Sequence, residues 1–272
     1  MNRIRFSALL VFILTNCFVS AQPKNEQPSD IDRKALEGII VEKYYVSDSA
    51  DYSDSLGGVL QPGSITYRIY VDLKPNYTLQ AIYGDPKHEL RIQTTTKFYN
   101  NTYCGALIGY NVNRLKINDG NYALDSWITI NSACNYYAGI LLSEDKDSSI
   151  ISKKAFEKAD GFTNGNLPYI KPFNIEFNCF SDASNAYLFT TSNGGWAGLS
   201  GIKSGAKGPT EANKILIAQL TTTGKISFEL NIQVGTPAGG VVKYVAKNPE
   251  GVEVKFDGLF YSQDESLGKI HK

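Results

Sequence analysis

Histidine is almost missing from this chain: there are two, His88 and His271, in 272 residues. A zinc centre built on imidazoles needs more nitrogen or thiolate donors than that. A Ser-His-acid triad would have to use His88, and Gly198-Leu-Ser-Gly201 lacks the Gly-x-Ser-x-Gly spacing of a nucleophile elbow. His88 therefore reads as a loop residue. Charge of one sign is missing too, since 27 Lys and Arg balance 27 Asp and Glu. Without a basic cluster, a nucleic-acid partner is not expected. No Gly-rich phosphate loop and no metal-ligand cluster stands out, so no cofactor and no metal are expected. Apolar runs long enough to span a bilayer are absent beyond the first twenty residues. Cysteine is scarce. Setting aside Cys17, the chain has Cys104, Cys134 and Cys179, an odd number that permits one disulfide among three pairings or none.

The N-terminus carries the clearest signal. Arg3 and Arg5 precede an apolar run from Ala8 to Leu14, and Val19-Ser20-Ala21 is a small-residue cleavage site. Residues 1–21 read as a signal peptide, cut before Gln22, and export permits disulfides. Lipid attachment at Cys17 is the rival, but Asn16 is out of place in a lipobox. Residues 22–35 are polar, contain two prolines and read as a flexible leader. Residues 36–262 form the expected folded domain, as one body or two packed halves, and 263–272 a disordered tail.

Within that domain, period two dominates. Ile65, Tyr67, Ile69, Val71 and Leu73 fall on one face of a strand; Thr66, Arg68, Tyr70 and Asp72 fall on the other. Ile226, Phe228, Leu230, Ile232 and Val234 alternate in the same way with Ser227, Glu229, Asn231 and Gln233. Each pattern predicts an antiparallel strand with one wet face. Further strands are expected at 39–46, 78–83, 89–98, 124–130, 136–142, 174–179, 186–191, 214–221, 241–246 and 252–261. The run Ile215 to Leu220 is apolar enough to be covered on both sides. Turn chemistry separates these runs, as at Lys74-Pro75-Asn76, Asn193-Gly194-Gly195 and Pro237-Ala238-Gly239-Gly240. Ser152 to Ala159 is the best helix candidate. Together these predict an all-β protein, an antiparallel β-sandwich of jelly-roll type with at most one or two short helices. The stretch Gly63 to Leu73 also echoes Gly224 to Val234, as any two amphipathic strands after a glycine turn would.

Several of these stretches, Ser64 to Leu73, Leu79 to Gly84, Leu90 to Asn100, Leu124 to Ile130 and Ile215 to Thr221, resemble a family of uncharacterised secreted β-rich proteins of Bacteroidota and other environmental bacteria. The similarity spans roughly residues 40–262. Some members carry a type IX secretion sorting domain, which is not read here. The resemblance implies an exported β-fold and no particular chemistry.

Carboxylate pairs for glycoside hydrolysis would have to come from Glu229 with Asp72 or Glu89, and no spacing pairs them. Ser143 to Ser149 gathers oxygen ligands but lacks the glycine and distal glutamate of an EF-hand, so it reads as a hairpin tip. The triplets Thr94 to Thr96 and Thr221 to Thr223 read as strand formers. Aromatics give the binding clue. With Ile128 and Ile130 inward, Trp127 faces outward with Asp125, and Trp196 follows the turn at Asn193. Exposed rings beside Asp and Asn suit stacking on sugars. Trp196, Asn193, Trp127 and Asp125 are the candidate ligand-binding residues. The expected function is a secreted or cell-surface, non-catalytic binding or adhesion module, with a glycan or envelope component as its partner. A carbohydrate-active hydrolase or lyase, or a structural subunit of an extracellular assembly, is the alternative.

Overall fold

Alternating apolar residues need two layers to hide between, and the chain supplies them. The computed structural model describes residues 28–51, 53–54, 58–103, 105–116, 120–130, 169–173, 186–200, 203–208 and 211–264. The signal peptide, residues 22–27, the three cysteines, the 143–149 loop, the 152–159 helix, the strands at 136–142 and 174–179, and residues 265–272 lie outside these.

The strands, in chain order, are β1 (Leu36–Val46), β2 (Ser53–Asp54), β3 (Gly58–Val59), β4 (Ile65–Leu73), β5 (Thr78–Gly84), β6 (Leu90–Thr94), β7 (Trp127–Ile128), β8 (Tyr169–Phe173), β9 (Leu188–Thr191), β10 (Gly194–Ser200), β11 (Lys203–Ser204), β12 (Lys214–Thr222), β13 (Ile226–Glu229), β14 (Asn231–Gly235), β15 (Val241–Val245), β16 (Val254–Lys255) and β17 (Phe260–Ser262). One layer is the sheet β1-β4-β12-β7. The other consists of two sheets, β11-β10-β5-β14-β15-β16 with β8 added on β10, and β17-β13-β6-β9. All pairs are antiparallel except β15 with β16. Between the layers pack Tyr67, Ile69 and Val71 of β4, Ile215, Ile217 and Leu220 of β12, Ile82 of β5, Ile92 of β6, and Phe228, Leu230, Ile232 and Val234. The fold is an all-β sandwich, with only single 3-10 turns and no α-helix among the described residues.

The two sheets of the second layer share their chain. β13 and β14 are one run interrupted at Leu230, and they pair with β6 and β5 on either side of a five-residue excursion, 85–89. Asn231 holds that excursion: its Nδ2 lies 3.3 Å from the Tyr83 carbonyl and 3.2 Å from those of His88 and Glu89. The echo of Gly63 to Leu73 in Gly224 to Val234 thus falls on facing layers.

Three expectations need correction. The polar faces of β4 and of the 226–234 run are mostly not wet: Thr66, Arg68, Tyr70, Ser227, Glu229 and Asn231 are buried, while Asp72 and Gln233 keep partial exposure. Irregular chain between Tyr99 and Trp127 covers the outer face of the first sheet, packing Ala106, Val112, Tyr122 and Trp127 on Tyr70 and Leu216. The leader does not extend to residue 35. Tyr77 donates to Asp32 Oδ1 at 2.8 Å and Tyr244 to the Asp32 carbonyl at 2.6 Å, which anchors a 3-10 turn at Asp32–Lys34. At the other end, Gln263 Oε1 accepts the amide of Ile226 at 2.9 Å, so the fold reaches past residue 262. The expectation for Ile215 to Leu220 holds, since that run is buried throughout.

Candidate functional site

Trp196 and Trp127 are not stacking platforms. Trp196 is 0 % exposed and donates from Nε1 to the Thr129 carbonyl at 3.0 Å. Gly194 and Gly195 belong to β10 and pair with Gly84 and Tyr83, so the expected mobile turn is a strand. A Cβ on Gly195 would meet the Ile82 carbonyl at 2.1 Å, which is why glycine stands there. Trp127 points away from the sandwich core as expected, yet is 2 % exposed because the covering chain lies on it. Asp125 is buried beneath the same chain. Its Oδ1 accepts the amide of Asn101 and its Oδ2 that of Ala106, each at 2.7 Å. Burial pushes this carboxyl up to about 7, against the pull of those amides. Asp125 thus organises a loop. Asn193 alone of the four is exposed, on a small recess of about 240 Å³ with Asp85, Gln233 and Lys243.

The larger concavity is elsewhere. A groove of about 800 Å³ opens where β6 runs into Thr96–Asn100, β12 ends at Thr222–Thr223 and the chain after β3 passes Leu60 and Gln61. Tyr187 stands on one wall, 45 % exposed, its backbone fixed by the Thr94 amide donating to its carbonyl at 2.9 Å. Phe98, also in the lining, is pinned by its amide, which donates to the Ala186 carbonyl at 2.7 Å. The two threonine triplets, far apart in sequence, meet here. Thr222 Oγ1 lies 2.8 Å from both Thr94 Oγ1 and Thr96 Oγ1, Thr223 donates to Thr96 at 3.2 Å, and the Lys225 amide donates to Thr95 at 2.9 Å. Gly224 makes this approach feasible, because a Cβ there would come within 2.6 to 2.7 Å of the hydroxyls of Thr94, Thr95 and Thr96. The groove thus offers an exposed phenol ring, hydroxyls, the amides of Gln61 and Asn100, and one cation, Lys97. No carboxylate lies among its described lining residues.

The acids proposed for hydrolysis are not gathered either. Glu229 is buried on β13 and accepts from Lys247 Nζ at 2.8 Å. Glu89 accepts from Thr190 Oγ1 at 2.6 Å. Asp72 lies on β4, in the facing layer.

Sequence reasoning passed over a second cluster. His88 is indeed in a loop, but it is 2 % exposed. Its Nδ1 lies 3.1 Å from Asp85 Oδ1, and its Nε2 3.0 Å from the Asn248 carbonyl and 3.4 Å from Glu253 Oε2. Burial works to raise the Asp85 carboxyl, but the amides of Lys87 and His88 outweigh it and hold the group below its ordinary value. The nearby Tyr83 hydroxyl is pushed up by its own burial, with Glu253 and Asp85 adding to the effect. Glu253 is 165 residues from His88, so nothing local in the sequence could join them. Compared with known protein families, curated proteins and solved structures, the chain matches none.

Proposed function

We propose that this protein is an exported, non-catalytic binding module and that the Tyr187 groove receives carbohydrate. The observation that carries the reading is the composition of that groove: a half-exposed aromatic ring beside hydroxyls and amides, with no acid among the described lining residues. Sugar rings present an apolar face that loses water against an aromatic ring, while neighbouring polar groups orient the hydroxyls. Hydrolysis by the usual route needs two carboxylates flanking the bond, and the groove supplies neither from those residues. Export rests on the N-terminal signal, and the resemblance to secreted β-rich proteins agrees with it.

The test is a screen of soluble envelope and plant polysaccharides by affinity electrophoresis, with Tyr187→Ala beside the native protein. The expected outcome is retardation by at least one polysaccharide, weakened at least about tenfold in the variant, the cost of one good aromatic contact. Release of reducing ends from any retarding polysaccharide would replace the binding module with an enzyme. Retardation unaltered by Tyr187→Ala would remove the groove from the account.

A further inference from the structure

We propose that Asp85, His88 and Glu253 form a binding site for a divalent ion of the zinc class, with His88 Nε2 and Glu253 Oε2 as ligands and Asp85 as the residue that orients the imidazole. The cluster shares no residue with the groove. One donor atom from each of the three side chains lies within 4.8 Å of the others. Two ligands about 2.1 Å from a tetrahedral ion stand about 3.4 Å apart, and His88 Nε2 stands 3.4 Å from Glu253 Oε2. The Asn248 carbonyl, 3.0 Å from the same nitrogen, is a third oxygen at the same edge of the ring.

The other ring nitrogen is already engaged. Asp85 Oδ1 faces Nδ1 at 3.1 Å and is itself fixed by the amides of Lys87 and His88, each at 2.9 Å. A carboxylate placed behind a histidine in this way holds the proton on Nδ1, so that a metal need displace only the proton with which Nε2 meets the Asn248 carbonyl. Glu253 is held as well, accepting the amide of Glu250 at 2.8 Å. The ion pair between Lys87 and Glu250 closes the two loops over the cluster.

An independent observation bears on the same region. The Tyr83 hydroxyl belongs to a residue more than nine-tenths buried and has no hydrogen-bond partner among the described residues. The charges of Glu253 and Asp85 act on it, and its own strand, β5, leads directly into the 85–89 loop. A buried hydroxyl without a partner is costly, and an ion or ordered water nearby would satisfy it. A metal-bound water would accept or donate there. A donor set of one imidazole with carboxylate and carbonyl oxygens suits zinc-class ions better than calcium, which takes six or more oxygens.

The experiment uses the full exported chain, stripped with chelator and titrated with Zn²⁺ and, separately, Ca²⁺. Thermal denaturation and long-range ¹H–¹⁵N spectra of the histidine rings are recorded. With only two histidines, His88 is assigned by the loss of its signal in His88→Gln. The expected result is a rise in melting temperature with Zn²⁺, a shift of His88 Nε2 with the Nδ1 proton retained, and affinity at least about tenfold weaker in Glu253→Gln. The ring signal separates this site from metal bound at cysteines or at His271. A His88 ring that is unmoved by Zn²⁺, or that keeps protons on both nitrogens in its presence, overturns the proposal and leaves a proton as the bridge between the loops. A response to Ca²⁺ alone overturns the assignment of the ion. Should Glu253→Gln fail to fold, the spectra of the native protein decide the question unaided.

Discussion

Single residues set the two most local features of this protein. Gly224 lies within reach of three threonine hydroxyls, and Gly224→Ala forces a methyl into a space of 2.6 to 2.7 Å. The substitution is expected to cost about 1–3 kcal/mol, as overpacking does, read as a lower urea midpoint at unchanged slope. Asp125 makes a different demand. Its native carboxyl titrates near 7 rather than at the ordinary 3.8. The folded protein therefore holds a proton there that the unfolded chain releases, over the window between about pH 4 and about pH 7. This group's contribution to stability is full below that window and falls as pH rises through it. Asp125→Asn is expected to abolish that slope and to lower stability by about 1–3 kcal/mol, because an amide nitrogen must then face the amide of Asn101 or Ala106. Denaturation midpoints from about pH 4 to about pH 8 measure both effects, and an unchanged slope in the variant would contradict them. Neither role was legible beforehand. The threonine triplets read as strand formers because each fits a strand, and Asp125 read as a surface group because alternation gives direction and not cover.

At the scale of the element, alternation placed several strands but misjudged their solvent, and the single strands expected at 124–130 and 252–261 are only Trp127–Ile128 and the pair β16 and β17 around a 3-10 turn. Sequence and structure agree on β4, β5, β12, β15 and the 226–234 run, because the pattern of one strand is written within that strand. Which faces are dry depends on chain that returns from elsewhere, as the Tyr99 to Trp127 segment does over Tyr70 and Leu216. That is why Trp127 was misjudged; Trp196 was misjudged because Gly194 and Gly195 pair as strand rather than turn and carry its ring into the main core. Both yield a direct test. Trp127 on β7 and Trp196 on β10 are expected to emit in the blue and to resist acrylamide, with no change when a polysaccharide binds. Quenching typical of exposed indole would contradict their burial. The break of the 226–234 run at Leu230 was likewise hidden, since it arises from the excursion of the partner strand at 85–89, which Asn231 clamps.

Across the whole molecule, the sandwich acts as a frame whose sheets hold irregular chain in fixed positions. The groove exists because the ends of β6 and β12 are stitched by threonine hydroxyls while the chain after β3 crosses beside them. Its residues come from four separate parts of the sequence, so no motif could have announced it. The same arrangement gives the most direct measurement of the central claim, that ligand is held in this groove by a non-catalytic surface. Hydrogen exchange followed by mass spectrometry, with and without a saturating polysaccharide from the screen, maps the footprint. The account predicts slower exchange in peptides covering 58–61, 96–100 and 222–223, and none around Trp196 or the 85–89 loop. Protection confined to any other surface would contradict it.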